Sequence, residues 1–221
     1  MIKNYIKENI SRNNRGYTIH NKPIVVIDSL PQEIDMNYIS KKIEDLIPNH
    51  LMYSIDMIYV GDFPFLKDRQ INALYKDNAI YTTNDQQNNE DIIDDIVHEI
   101  SHALEEIHGD EIYFDDAIEQ EFLGKRTRLK SLLNYLDKDF LNSEYSKELD
   151  RFFFEDVGYS ILNALTEGLF ASAYGATSLR EYFANGFEEY ILGDRKYLDT
   201  ISPKLYQKIY NIYNSYGEKQ Q

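Results

Sequence analysis

The sequence contains no cysteine, so it has neither a disulfide framework nor thiolate ligands for a metal ion. A transition metal bound to this chain must therefore be held by histidine and carboxylate side chains. Histidine is itself scarce, with 5 among the 221 residues. These two shortages leave few positions at which a zinc site can be built.

Long apolar runs are also missing. No stretch is apolar over the length needed to cross a bilayer, and residues 1–15 lack the apolar core of a signal peptide. We therefore expect the protein to be cytoplasmic where it is synthesised, with export by another route left open.

Positive charge is in short supply, since 23 Lys and Arg residues stand against 38 Asp and Glu residues and the net charge is −15. Such an acidic chain repels phosphate backbones and anionic headgroups, so we expect no nucleic-acid partner and no membrane partner. A cationic peptide would be attracted.

No repeat, low-complexity tract or convincing linker divides the chain. We predict a single domain, 1–221, with an N-terminal lobe of about 1–109 and a helical C-terminal lobe of about 110–221. Short β-branched runs cluster before residue 91, and helical periodicity dominates after it. The predicted fold class is α+β, with a small mixed sheet in the N-terminal half and a cleft between the two lobes.

The N-terminal half predicts a β-helix-β order followed by a hairpin. The expected elements are a short helix over 1–13, a buried strand over 23–28, a helix over 35–46 capped by Asp35, a strand over 55–60, a loop over 61–64 and a hairpin over 71–83. The hairpin turn falls at Asp77 and Asn78. Its exposed edge could add an extended peptide strand, and an ordinary meander strand explains the pattern equally well.

The C-terminal half shows apolar residues at helical spacing. We predict helices over 115–138 with a break near Gly124, over 146–170, over 181–192 and over 203–216. These are interpreted as core helices.

One helix, over residues 91–104, carries a His-Glu-x-x-His motif. His98 and His102 lie four positions apart and so project from one face, as two imidazoles must to reach one Zn²⁺. Glu99 beside them can take a proton from a water on the metal. An apolar stripe gives the helix a buried side, formed by Ile92, Ile93, Ile96, Ile100, Ala103, Leu104 and Ile107. The motif predicts a catalytic zinc, and its competing explanation is a chance match.

Catalytic zinc needs a third protein ligand, typically from a second helix. His108 is off the metal face and is interpreted as a helix-end histidine that interacts with terminal carbonyls. His20 and His50 are expected to be solvated in loops. Glu181 begins an aromatic-rich helix, and spacing gives it only a modest preference over the acidic pair Glu188 and Glu189 in the same helix.

A resemblance bears on this choice. Residues 173–187, with Tyr174-Gly175 seven residues before Glu181, together with residues 98–103, resemble the catalytic domain of anthrax toxin lethal factor and the related Pro-Pro endopeptidases. That family implies a gluzincin-like zinc endopeptidase fold with one Zn²⁺ per chain. Carried over by residue, the resemblance implies metal ligands His98, His102 and Glu181. It also implies Glu99 as general base and Tyr174 as the hydroxyl that stabilises the oxyanion.

The chain departs from the family in three ways. Ser101 stands where relatives usually carry Gly, and Asn185 replaces an acidic residue usual in the Glu helix. The interval from His102 to Glu181 is longer than in relatives, with the extra residues mostly within 109–150. We predict that this extra segment either flanks the cleft and restricts substrate entry or forms a distant stabilising appendage.

The function predicted from sequence is that of a zinc-dependent endopeptidase acting on a peptide or protein substrate, with basic residues near the cleaved bond. The main alternative is an interaction or structural component whose metallopeptidase-like site is idle. A metal-dependent hydrolase of non-peptide substrates is a third hypothesis. Substrate identity, biological role and oligomeric state stay open.

Overall fold

The computed structural model describes residues 16–133 and 139–215. The helix expected over 1–13 lies outside the described residues. The predicted fold class is confirmed at the level of a mixed α+β fold with a five-stranded sheet in the N-terminal half. The chain divides into two compact units, Met1–Ile107 and His108–Gln221. None of the helices in the described residues is long and apolar enough to cross a bilayer.

The sheet of the first unit has the strand order β1-β2-β3-β5-β4. The strands are β1 Tyr17–Ile19, β2 Lys22–Val26, β3 Met57–Gly61, β4 Ala73–Lys76 and β5 Ala79–Thr83. The inner strands β2, β3 and β5 are parallel, while β1 and β4 pair antiparallel at the two edges. The sheet is therefore mixed, and β5 is buried along its whole length.

The hairpin formed by β4 and β5 has the turn expected from sequence. Asp77 and Asn78 have φ values of 52° and 60°, which matches the two left-handed positions of a type I′ turn. Asp and Asn tolerate this conformation better than other residues with a Cβ. The turn places β4 at the edge of the sheet.

Among its described residues the first unit also contains α1 Met36–Leu46, α2 Pro64–Arg69 and most of α3 Asn89–Tyr113. Asp35 caps α1 as expected, because its carboxylate accepts from the backbone amides of Asn37 and Tyr38. Helix α2 was not predicted, since six residues are too few to show a helical repeat. Pro64 at its first position was the available signal.

The second unit is helical in its described residues, as predicted. Its α-helices are α4 Ala117–Leu133, α5 Lys147–Arg151, α6 Tyr159–Thr166, α7 Leu179–Leu192, α8 Arg195–Ile201 and α9 Pro203–Asn214. A π-helical stretch, Phe152–Val157, follows α5, and a 3₁₀ turn, Tyr174–Ala176, precedes α7.

Two boundaries predicted in this unit are wrong. Helix α4 runs through Gly124 without a break, because one glycine weakens a helix that tertiary packing still supports. The single helix predicted over 146–170 is instead interrupted by the π-helical stretch and by Gly158, whose φ is 79°. Helix α8 was not predicted, although Asp194 caps it.

Helix α4 belongs to the core of the second unit. Its Ile118, Phe122 and Leu129 side chains are fully buried, and it packs against α6, α7 and α9. Helix α4 is therefore an integral part of the second unit. Its effect on substrate entry stays a prediction.

Two helical glycines should respond to alanine with opposite signs. A Cβ at Gly124 meets nothing within 4 Å, whereas a Cβ at Gly186 of α7 would lie 2.3 Å from Cδ2 of Leu205 in α9. Gly124→Ala should raise the free energy of unfolding by about 0.5–1 kcal/mol through helix propensity. Gly186→Ala should lower it by about 1–3 kcal/mol through overpacking. Urea denaturation measures both.

The Leu205→Ala background is the control for this pair. Removing the leucine methyl groups makes room for the new Cβ, so Gly186→Ala should lose its destabilising effect there. An equal destabilisation by Gly186→Ala in both backgrounds would contradict the proposed clash.

Candidate metal centre

Helix α3 presents the two motif histidines opposite a buried face. Its apolar stripe is buried as predicted except for Ile107, which is 52% exposed. His98 and His102 are partly exposed, with ring centroids 5.1 Å apart and ring planes at 81°. The four-residue spacing thus places both imidazoles side by side on the face that is not packed in the core.

Glu181 joins this pair of imidazoles. The ligand atoms of His98, His102 and Glu181 all lie within 4.8 Å of one another. Within the described residues, no other group of three His or acidic side chains is this close. Two imidazole nitrogens and one carboxylate oxygen are the ligand set of catalytic zinc sites that keep a position open for water. The cluster could therefore hold a metal ion.

The start of α7 fixes the backbone that carries Glu181. Ser178 is the N-cap residue, and its hydroxyl accepts a hydrogen bond from the Glu181 amide at 3.2 Å. The Leu179 amide donates to the carbonyl of Ser143 at 2.8 Å. One turn later, the Asn185 side-chain amide donates to the Glu181 carbonyl at 2.9 Å. Three hydrogen bonds thus hold the first turn of the helix around Glu181.

His102 is oriented by an acidic residue outside the His-Glu-x-x-His motif, which the sequence did not single out. Its Nδ1 lies 2.8 Å from Oε2 of Glu105, one turn further along α3. A proton on Nδ1 directed at this carboxylate leaves the lone pair of Nε2 for a metal ion. Such a carboxylate-histidine pair also fixes the orientation of the imidazole ring. The available signal was the three-residue spacing from His102 to Glu105.

Glu99 is only 7% exposed, and its Oε2 accepts a hydrogen bond from the backbone amide of Tyr75 at 2.5 Å. The Tyr75 hydroxyl donates to Glu106 at 2.7 Å, so edge strand β4 contacts α3 at two points. The hydrogen bond from the Tyr75 amide orients the Glu99 carboxylate. Because this amide is already occupied, a peptide strand added to β4 could not form a hydrogen bond with it.

Asp95 lies one turn before His98 and Glu99, and it contributes less negative charge to the helix than an ordinary aspartate because its pKa is raised. Burial, with the nearby charges of Glu99 and Asp94, raises the pKa of Asp95 to about 7, although a hydrogen bond from Gln86 opposes the shift. The Gln86 amide lies 2.5 Å from Oδ2 of Asp95. This face is therefore less acidic near neutral pH than its sequence suggests.

Tyr174 begins the 3₁₀ turn and is 38% exposed. Partial burial of its hydroxyl raises its pKa well above the usual range, and the nearby charges of Glu181 and Asp150 act in the same direction. The hydroxyl therefore keeps its proton at neutral pH and can act as a hydrogen-bond donor.

Sequence reasoning missed the polar surroundings of Tyr174. Asp150 accepts a hydrogen bond from the Tyr145 hydroxyl at 2.8 Å, and burial raises the pKa of Tyr145 to about 12. Both residues and Tyr159 raise the pKa of Tyr174, which places them close to it. They come from a loop, α5 and the segment after the π-helical stretch, so no single motif could have shown them together.

The remaining histidines differ from expectation. His108 does not end a helix, because α3 continues to Tyr113 and His108 pairs with Glu111 through Nδ1 at 3.1 Å. His20 is half-buried and its Nε2 lies 2.5 Å from the carbonyl of Ile47. His50 lies in a 3₁₀ helix, Asn49–Met52. None of the three belongs to the metal cluster.

Comparison with known proteins returns no match to a protein-family model, a curated protein or a solved structure. The resemblance to lethal factor and the Pro-Pro endopeptidases therefore remains a hypothesis that depends on the two motifs. The residues of the centre themselves are therefore the basis for its proposed chemistry.

The chain offers a matched pair of His-Glu contacts to test the role of Glu105. Glu105→Ala should lower zinc affinity by about 10- to 100-fold, because the His102 ring loses the partner that orients it. Glu111→Ala breaks the same contact at His108, outside the cluster, and should leave zinc affinity unchanged. Competition with a fluorescent chelator measures both. Equal zinc affinities for the two variants would remove Glu105 from the metal centre.

Proposed function

We propose that this chain is a zinc-dependent endopeptidase of the gluzincin type, related to the lethal factor and Pro-Pro endopeptidase family. The observation that carries the proposal is the approach of the His98, His102 and Glu181 ligand atoms to within 4.8 Å of one another. Two histidines and a glutamate are the ligand set of thermolysin-type zinc hydrolases. The helix also places Glu99 directly beside the first ligand.

Bound zinc would lower the pKa of a water molecule and polarise the carbonyl of the scissile peptide bond. Proton transfer and stabilisation of the oxyanion are assigned to side chains of the protein. Glu99 takes the proton of the attacking water and delivers it to the leaving amine. Its Oε2 is held by the Tyr75 amide, so one carboxylate oxygen anchors the side chain and the other is left for the proton.

Tyr174 supplies the donor for the oxyanion. Its raised pKa keeps the phenol neutral, and a neutral hydroxyl stabilises a developing alkoxide by hydrogen bonding. Partial exposure of the ring leaves it accessible to a substrate. Ligands, base and donor together form a complete set for peptide hydrolysis.

Five substitutions should separate metal binding from chemistry. His98→Ala, His102→Ala and Glu181→Ala remove ligands, so zinc content and activity should fall together. Glu99→Gln keeps an oxygen for the Tyr75 amide but cannot accept the proton, and Tyr174→Phe loses only a hydroxyl. Both should retain zinc and KM, while kcat falls by about 10²- to 10³-fold for Tyr174→Phe and at least as much for Glu99→Gln.

Zinc analysis and cleavage of a peptide library provide the readouts for these variants. The acidic chain should favour library members with Lys or Arg near the cleaved bond, and less so as salt is added. Stoichiometric zinc without cleavage of any peptide would favour the idle interaction component instead. Undiminished kcat in Tyr174→Phe would remove that residue from the mechanism.

A further inference from the structure

Arg126 of α4 is a fully buried arginine. A guanidinium removed from water is unfavourable unless it is paired and hydrogen-bonded. Among the described residues it forms no ion pair within 4.0 Å, and its Nε has no hydrogen-bond acceptor. The Phe122 and Phe140 rings lie 5.2 and 5.6 Å from its central carbon. These rings attract the cation through their faces but accept none of the hydrogen bonds discussed next.

The hydrogen bonds of Arg126 go to backbone carbonyls. Nη1 donates to Ala176 at 3.0 Å and more weakly to Thr177 at 3.4 Å, while Nη2 donates to Asp139 at 3.3 Å. Ala176 ends the 3₁₀ turn that Tyr174 begins, and Thr177 follows it. The buried cation is thus committed to the backbone of the Tyr174 turn.

The turn passes this constraint on to Tyr174. The Thr177 amide and hydroxyl both donate to the Tyr174 carbonyl, at 3.0 and 2.7 Å. Arg126 therefore holds Thr177 by its carbonyl, and Thr177 holds Tyr174 by its carbonyl. The chain of contacts ends at the residue that carries the proposed oxyanion donor.

The opposite side of the turn is fixed to α7. The Gly175 amide donates to the Ser172 hydroxyl at 3.3 Å, and that hydroxyl donates to the Asn185 side chain. A Cβ at Gly175 would lie 3.4 Å from the Cβ of Asn185. Asn185 in turn bonds to the Glu181 carbonyl. The turn is thus held by α7 on one side and by α4 on the other.

We propose that Arg126 is a positioning residue for Tyr174: its guanidinium, by holding the Ala176 and Thr177 carbonyls, fixes the turn from which the Tyr174 hydroxyl reaches the oxyanion. This inference rests on the proposed function, which gives Tyr174 its role. An oxyanion donor must be held to within about 0.5 Å to be effective. The buried Gly175 and Ala176 fix one side of this turn against α7, and the Arg126 hydrogen bonds fix the other.

A double-mutant cycle tests the proposal. Arg126→Met keeps much of the apolar contact and removes the hydrogen bonds. In the wild-type background it should lower kcat by about 10- to 100-fold, within the loss expected for the hydroxyl itself, with zinc content and KM unchanged. In the Tyr174→Phe background it should change kcat by less than about twofold, because the hydroxyl it positions is already absent.

Two further variants separate positioning from general stability. Leu129→Ala empties a buried position of the same helix and should lower the thermal unfolding midpoint without changing kcat of the folded protein. Arg126→Lys keeps a cation that can reach one carbonyl and should lose less activity than Arg126→Met. If Arg126→Met does not fold, Arg126→Lys takes its place in the cycle. Equal loss of kcat in both backgrounds, or loss of zinc, would overturn the proposal.

Amide hydrogen exchange gives a readout that does not depend on activity. Exchange at the turn amides of Gly175, Ala176 and Thr177 should rise in Arg126→Met more than exchange at the amides of α7. If the wild-type protein cleaves no peptide yet this local rise occurs, the turn is held as described and the proposed function fails. Unchanged exchange at these three amides would overturn the inference about Arg126 whatever the activity.

Discussion

The spacing of two histidines on a helix with one buried face is the constraint on which the candidate metal centre depends. Because α3 buries Ile96 and Ile100, it cannot rotate about its axis without exposing them, and His98 and His102 are held on its other face. The same helix carries Glu99, which follows His98 in sequence, and Glu105, which is bonded to His102 one turn away.

In the second unit, two buried basic side chains lie near candidate site residues. Helix α4 carries Lys125 next to Arg126, and its ammonium donates to Tyr182 at 2.6 Å and to Ser202. Burial lowers the pKa of Lys125 to about 8. Tyr182 directly follows Glu181 in α7. Lys125 therefore contacts the neighbour of Glu181, and Arg126 contacts the turn that carries Tyr174.

The features predicted from sequence are those encoded locally. The His-Glu-x-x-His spacing, the Asp35 cap and the Asp77-Asn78 turn each need only a few neighbouring residues, and the structure contains all three. Glu181 was placed by a resemblance rather than by spacing. The features that the sequence did not reveal depend on contacts between residues far apart in the chain. Arg126, for example, donates a hydrogen bond to the turn of Tyr174, about fifty residues away. Helix α4 likewise continues through Gly124 because its neighbours pack against it.

Anomalous diffraction at the zinc edge, on crystals of the zinc-loaded protein, locates the bound metal ion. If the three side chains hold zinc, one anomalous peak per chain should lie about 2.0–2.2 Å from a nitrogen of His98, a nitrogen of His102 and an oxygen of Glu181. The imidazole nitrogen of His102 should be Nε2, with Nδ1 still bonded to Glu105. A zinc ion bound elsewhere, or no peak at these three side chains in protein that contains stoichiometric zinc, would contradict the account.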